Sequence, residues 1–286
     1  MPIISLNRTD VFFGRERELV RIRECLNDPG FVIVTGMRGS GKTAILRKLH
    51  GENPSRTTLI DMRCADIREV HEGIPDFRRI MALARTVEWN ILIDSMPPEP
   101  SAFREAWKMS SMYSMGCAVS TTYSRHLLDE IKEGIPELAI VNIPPLKDRE
   151  TENYIRMKAP KFRATAAGLD YIYRLTEGLP LFIDSFLNVL SDGVIYGPAL
   201  LEENFTAKFQ QIAFPWMVEL SQLSPVEKRI LSDLCDAPIP EGAVGDEEIE
   251  GLELRGLVKL RGGEWHLTSK LLLRVLTELR KQVGCL

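Results

Sequence analysis

The segment Gly36-Met-Arg-Gly-Ser-Gly-Lys-Thr43 constrains this chain more than any other feature. It has the form G-x-x-x-x-G-K-[ST] without a gap, follows the apolar run Phe31 to Thr35 and opens a helical pattern from Lys42 to His50. Glycines at 36, 39 and 41 let the backbone wrap closely round an anion, and the N–H groups of the helix start face it along the helix dipole. Such a loop needs a buried strand before it and a helix after it, so it implies an α/β fold that binds a nucleotide through its phosphates. The expected nucleotide contacts are Gly36, Met37, Arg38, Gly39, Ser40, Gly41, Lys42, Thr43 and Ala44. Lys42 is expected on the β- and γ-phosphates, and the Thr43 hydroxyl on Mg²⁺.

Four further apolar runs read as strands: Thr57 to Met62, Asn90 to Asp94, Cys117 to Thr121 and Leu138 to Ile143. Helical patterns at Asp76 to Trp89, Ser101 to Met112 and Ser124 to Glu133 alternate with them. Continuous rather than alternating apolar strands predict a parallel sheet covered on both faces. Asn90-Ile-Leu-Ile-Asp94 ends in the carboxylate that a Mg²⁺ site next to the loop requires, so Asp94 joins Thr43 as a metal-binding candidate. The next position is Ser95, without the acid that polarises water in most hydrolytic proteins of this arrangement, which predicts slow hydrolysis or none. Glu99 is the nearest substitute base, with its reach limited by Pro97, Pro98 and Pro100. If the fourth strand lies between the first and third, Thr122 and Arg125 at its end are candidate γ-phosphate sensors.

After Pro144-Pro145 the strand signal stops, and candidate helices follow at Asp148 to Met157, Gly168 to Leu175 and Leu181 to Leu190. Beyond Trp216 come a helix from Val226 to Cys235, a Pro/Gly-rich break from Pro238 to Gly245, an acidic helix from Asp246 to Arg255, two short strands around Gly262-Gly263 and a last helix from Ser269 to Lys281. That order is the order of a winged helix. The expected division is a nucleotide-binding core over 1–145, a helical lid over 146–215 and a winged-helix-like unit over 216–286.

These residues together resemble a family. Phe13-Gly-Arg-Glu-Arg-Glu-Leu19, the phosphate loop, the Ile-Leu-Ile-Asp94 strand and Glu177-Gly-Leu-Pro-Leu181 look like the STAND class of P-loop ATPases, in its archaeal-type ATPase branch, a cousin of AAA+ proteins. The resemblance implies a five-stranded sheet in the order 5-1-4-3-2, with ATP or ADP held between core and lid. It also implies that Phe13, Gly14 and Arg15 lie along the adenine and that Pro180 projects onto the base from the lid. Ser95 departs from the family pattern, and so does the lack of a long repeat array after the winged helix.

Composition narrows the function. Net charge is −4, and residues 216–286 carry 9 basic against 12 acidic side chains. The helix that would enter a DNA groove, Asp246 to Arg255, has five acids and one base, so duplex DNA is disfavoured as a partner and packing onto the core or a protein is preferred. No apolar run approaches the roughly 20 residues that span a bilayer, no secretory pattern opens the chain, and five scattered cysteines form no C-x-x-C pair. A reducing cytosol is the expected setting. The leading expectation is a slow ATPase switch whose nucleotide state sets the lid and winged helix, with a protein partner or self-association. The alternatives are a DNA-acting initiator-like ATPase and a nucleotide-gated module that does not hydrolyse.

Overall fold

The computed structural model describes residues 12–27, 30–62, 90–122, 124–135 and 138–283. The helix expected over 76–89 lies outside the described residues.

The first part of the chain forms α1 (Glu16–Asn27), β1 (Phe31–Thr35), α2 (Lys42–Glu52), β2 (Thr57–Asp61), β3 (Asn90–Asp94), α3 (Pro100–Tyr113), β4 (Cys117–Ser120), α4 (Arg125–Gly134) and β5 (Ala139–Asn142). All five strands are parallel and lie in the order β2-β3-β4-β1-β5, the order expected from the resemblance. Strand β4 lies between β1 and β3, with Val34 beside Ser120 and Ile93 beside Val119. Side chains alternate along each strand and send two cores to opposite faces. Val32 and Val34 pack with Leu19, Ile22 and Leu26 of α1 and with Ile45, Leu46 and Leu49 of α2. Phe31 and Ile33 pack with Phe103 and Ala106 of α3 and with Leu127 and Ile131 of α4. Each such side chain, when fully buried, contributes about 1.5–3 kcal/mol relative to exposure.

Past Leu146 come α5 (Asp148–Lys158), β6 (Arg163–Ala164), α6 (Ala166–Thr176), α7 (Pro180–Leu187), β7 (Ile195–Tyr196), α8 (Pro198–Ala207) and α9 (Phe209–Ser221). Then follow α10 (Pro225–Asp236), β8 (Ile239–Pro240), α11 (Asp246–Leu254), β9 (Val258–Arg261), β10 (Glu264–Leu267) and α12 (Lys270–Val283). The sequence Ser224-Pro-Val-Glu227 starts α10 with reciprocal bonds: Glu227 N–H donates to Ser224 Oγ at 3.2 Å, and Ser224 N–H to the Glu227 carboxylate at 2.8 Å. β9 and β10 form the expected hairpin across Gly262-Gly263, and β8 adds a third antiparallel strand that the Pro/Gly-rich stretch did not announce. One continuous apolar cluster runs from Leu146 to Leu276, so the helices after Leu146 and the three-stranded unit share a core.

Candidate functional site

The phosphate loop leaves β1 at the centre of the sheet and enters α2 through Gly41, whose backbone is left-handed at φ 106°. Lys42 is turned back over the loop, where its ammonium donates to the carbonyls of Gly36 at 2.7 Å and Met37 at 3.0 Å. Burial pushes its pKa down to about 8, Asp94 opposes that shift and Arg38 adds to it. The buried Ser40 hydroxyl has no hydrogen-bond partner. A cationic group turned onto its own loop and an orphaned hydroxyl beside it fit a site made for phosphate oxygens.

Asp94 is buried at the end of β3, where the Ser120 hydroxyl donates to Asp94 Oδ1 at 2.6 Å. Ser95 follows with φ 60°, and its N–H donates to Ser120 Oγ at 2.9 Å.

A cavity of about 1090 Å³ opens over the loop. The core lines it with Phe13, Arg15, residues 38–44, Asp94, Ser95 and Thr122, and the segment after Leu146 closes it with Tyr154, Pro180, Leu181 and Asp184. Leu254 and Arg255, from the end of α11, form a third wall. The fold therefore brings together almost all of the sequence-predicted site. Gly14 flanks Phe13 and Arg15, while Gly36 and Met37 present their carbonyls to Lys42 rather than a side chain to the cavity. Arg125 does not reach the cavity: its guanidinium pairs with Glu241 at 3.3 Å and is largely exposed. Glu99 stands at the N-cap position of α3 without a side-chain capping bond, also outside the lining residues.

Close approach of α7 to the loop depends on Gly39. A Cβ there would lie 2.6 Å from Leu181 Cβ, and the Leu181 N–H donates to the Gly39 carbonyl at 3.3 Å. Arg15, also left-handed at φ 72°, donates to the Pro144 carbonyl and ties the segment before α1 to the exit of β5. Burial holds its pKa below the ordinary value, and Glu18 and Glu150 oppose that shift.

Sequence reasoning missed Tyr154, Lys158 and Asp184. Tyr154 and Lys158 are one turn apart on α5; the Tyr154 hydroxyl donates to Asp184 Oδ1 at 2.9 Å, and the Lys158 ammonium lies 3.8 Å from Asp184 Oδ2. Only the four-residue spacings 154/158 and 180/184 hinted that these side chains share one side of their helices.

The acidic helix α11 faces the core. Glu253 is buried and its carboxylate accepts the Arg125 N–H at 3.2 Å, at the start of α4, while the Ser124 hydroxyl donates to Glu250 at 3.3 Å. Gly256 sits so close to the loop that a Cβ would lie 2.7 Å from Arg38 Cβ.

Among the described residues no helix is long and apolar enough to cross a membrane, and no group of three or more His, Cys, Asp or Glu is placed to hold a metal ion. Comparison with known proteins agrees with the geometry. Residues 11–150 match the AAA ATPase domain family. The Walker-type ATPase PABY2304 of Pyrococcus abyssi is similar in structure, with a TM-score of 0.63 and 16% identity over 94% of this chain and 97% of that one. The Thermotoga maritima RuvB Holliday junction branch migration motor superposes with a TM-score of 0.50 and 13% identity, over 96% of each chain. No curated protein sequence matches the chain. The loop and the parallel strand order, with the family match over residues 11–150 and the likeness to these solved structures, show a P-loop ATPase fold.

Proposed function

We propose that the chain is an ATP/ADP-dependent switch in which bound nucleotide sets how the segment after Leu146 sits on the core. The observation that carries this reading is the three-walled cavity: core, lid and the end of α11 all line the space over the phosphate loop. A nucleotide held there touches all three and has different affinity for arrangements that differ in those walls. Because one apolar cluster joins Leu146 to Leu276, the lid at 146–215 and the unit at 216–286 would move together. Resemblance to the STAND class supports the same reading and takes the three-stranded unit as a winged helix.

In this reading Lys42 neutralises the β- and γ-phosphates, and Thr43 and Asp94 hold Mg²⁺. A hydroxyl and a carboxylate are the hard oxygen donors that Mg²⁺ accepts while keeping several waters; when bound it would neutralise charge on the phosphates. Thr122, which lines the cavity, would sense the γ-phosphate, and Arg255, from the same lining, would supply the guanidinium that the sequence had assigned to Arg125. Phe13, Arg15 and Pro180 take the base. Hydrogen exchange of residues 146–283 tests the switch: protection should differ between ATP, ADP and no nucleotide, and identical exchange in all three overturns it.

Slow turnover is part of the proposal. The carboxylates lining the cavity are Glu52, Asp94 and Asp184, and Glu52 is engaged by Arg23 at 2.6 Å and by Lys48 at 3.4 Å. None follows Asp94 on its strand. Ser95→Glu should raise phosphate release at least tenfold, a part of the roughly 10²–10⁴ that a positioned base contributes. Unchanged turnover with intact ATP binding would show that water activation is not what limits it.

RuvB suggests a DNA motor as the second reading. The acids of α11 speak against it, because Glu250 and Glu253 are spent on the core and the rest of the helix start, Asp246 to Glu248, repels phosphates. Salt-dependent duplex binding would reverse that judgement. A protein partner or a second copy is the expected recipient of the signal. The three described cysteines, Cys25, Cys117 and Cys235, are free thiols.

Docking of α11 has its own signature. Burial raises the Glu253 pKa, and the Arg125 N–H and Ser124 hydroxyl oppose the shift only in part. The docked carboxyl therefore binds a proton more readily than the unfolded one. Its penalty is full above the docked pKa and disappears as pH falls through that pKa to the unfolded value. Docking should tighten on mild acidification, Glu253→Gln should preserve it, and Glu253→Lys should release it, each read as exchange protection at the start of α4. Loss of protection in the glutamine variant would show that the charge is required.

A further inference from the structure

A second cavity, of about 290 Å³, lies between the turn that ends α6 and the β9–β10 hairpin. Four basic side chains line it: Lys259, Arg261, His266 and Lys270. Its floor is apolar, with Leu234, Leu267 and Leu273. The side chains of Arg261 and Lys270 make no ion pair or hydrogen bond among the described residues, whereas Lys259 donates to the Glu177 carboxylate and, at 2.9 Å, to the Thr268 carbonyl. Asp236, the other acid of the lining, is paired with Arg280 at 3.1 Å. The cleft thus presents unbalanced positive charge above an apolar floor.

We propose that this cleft is an effector site for a small anion with an apolar body, of the phosphate monoester class, and that its occupation is felt at the nucleotide cavity. Specificity comes from the lining: the cations take the charged end and the leucines the body. The volume suits a small molecule, and Glu177 and Asp236 at the rim oppose a continuous polyanion such as duplex DNA.

The coupling runs through Glu177. That residue has φ 49° and is followed by Gly178, whose carbonyl accepts the Leu146 N–H at 2.9 Å, and then by Leu179 and Pro180, which bring α7 onto the phosphate loop. An anion in the cleft competes with the Glu177 carboxylate for Lys259. Freeing Glu177 loosens the turn that places Pro180 and Leu181 over the nucleotide. The coupling, but not the anion site, rests on the nucleotide-switch reading.

Titration with phenyl phosphate, followed by the imidazole resonances of His266 in the full chain carrying Lys42→Ala, tests the site without interference from the phosphate loop. Saturable one-to-one binding with a dissociation constant on the order of 1 mM is expected. Arg261→Ala combined with Lys270→Ala, both at exposed positions, should weaken it about tenfold by removing two charged contacts, with an unchanged melting temperature. Binding that is unsaturable or indifferent to the double substitution overturns the site. Displacement of phenyl phosphate by a 20-base-pair duplex at moderate salt would overturn the small-anion assignment in favour of nucleic acid. In the chain with Lys42 intact, saturating phenyl phosphate should change ADP release at least threefold, and not in the double variant. Unchanged release overturns the coupling, and failure of that chain to bind ADP at all removes the nucleotide reading while the titration still decides the site.

Discussion

Lys42→Ala should bind Mg·ATP at least a hundredfold more weakly than the native chain and release no measurable phosphate, while folding normally. The lysine is the cation best placed over the loop, and its burial, which lowers its pKa, has already removed much of its water. In the free protein its ammonium is satisfied by the Gly36 and Met37 carbonyls, so removing it strands two weak acceptors that water can reach. In the complex it would face phosphate charge in a confined site, where losing one partner of a desolvated charged pair costs about 2–5 kcal/mol. A loss of about 3 kcal/mol corresponds to more than a hundredfold in affinity. Calorimetric titration beside phosphate release separates the two losses, and near-native affinity would mean that the nucleotide does not lie on this loop. Stability should change little, because the desolvation penalty disappears together with the hydrogen bonds.

Among the described glycines, Gly178→Ala should be the most damaging alanine substitution. The residue has φ 73°, where an L side chain costs about 1–2 kcal/mol. The added Cβ would also lie 1.9 Å from the Leu146 carbonyl oxygen, a backbone atom that cannot swing aside. Relief requires the Gly178 turn to part from Leu146, breaking the bond between the Leu146 N–H and the Gly178 carbonyl and lifting Leu181 from Gly39. Steric and conformational losses together come to about 3 kcal/mol, or a fall in melting temperature of roughly 6–12 °C for a chain of this size. Gly193→Ala is the internal control. Gly193 has φ 81° but nothing within 4 Å of an added Cβ, so it should lose only the conformational part. Equal losses in the two variants would show that the Leu146 contact is not rigid. Gly178→Ala should also weaken ATP binding, and Gly193→Ala should not.

The parts of this protein that were legible in its sequence are those whose physics closes within about ten residues. The apolar runs became strands with ends within one residue of their expected positions: Phe31–Thr35 and Asn90–Asp94 agree throughout, and Thr57–Asp61, Cys117–Ser120 and Ala139–Asn142 are trimmed at their ends. A continuous buried run has one low-energy use in a parallel sheet, and the phosphate loop needs its strand, its glycines and its helix as immediate neighbours. Asp94 was legible for the same reason, standing one step past a buried run. Helix α1 was harder to read because Leu19, Ile22 and Leu26 are three apolar positions among charged residues, and they become a face only against Val32 and Val34. The two-residue strands β6, β7 and β8 have no local signal at all; their neighbours define them.

Tertiary structure alone decided which long side chains meet the cavity. Arg125 and Arg255 carry the same group, yet Glu241 draws one away while the end of α11 brings the other to the loop. Tyr154, Lys158 and Asp184 line the cavity because the turn at Gly178 brings α7 onto Gly39. The acids of α11 argued from sequence against DNA, and the structure adds where two of them go: onto the N–H of Arg125 and the hydroxyl of Ser124, more than 120 positions away in the chain. The physical reason is the range of the interactions. Backbone geometry and apolar periodicity are properties of a few neighbouring residues, whereas the partner of a charged side chain is chosen by packing between segments that the chain alone leaves far apart.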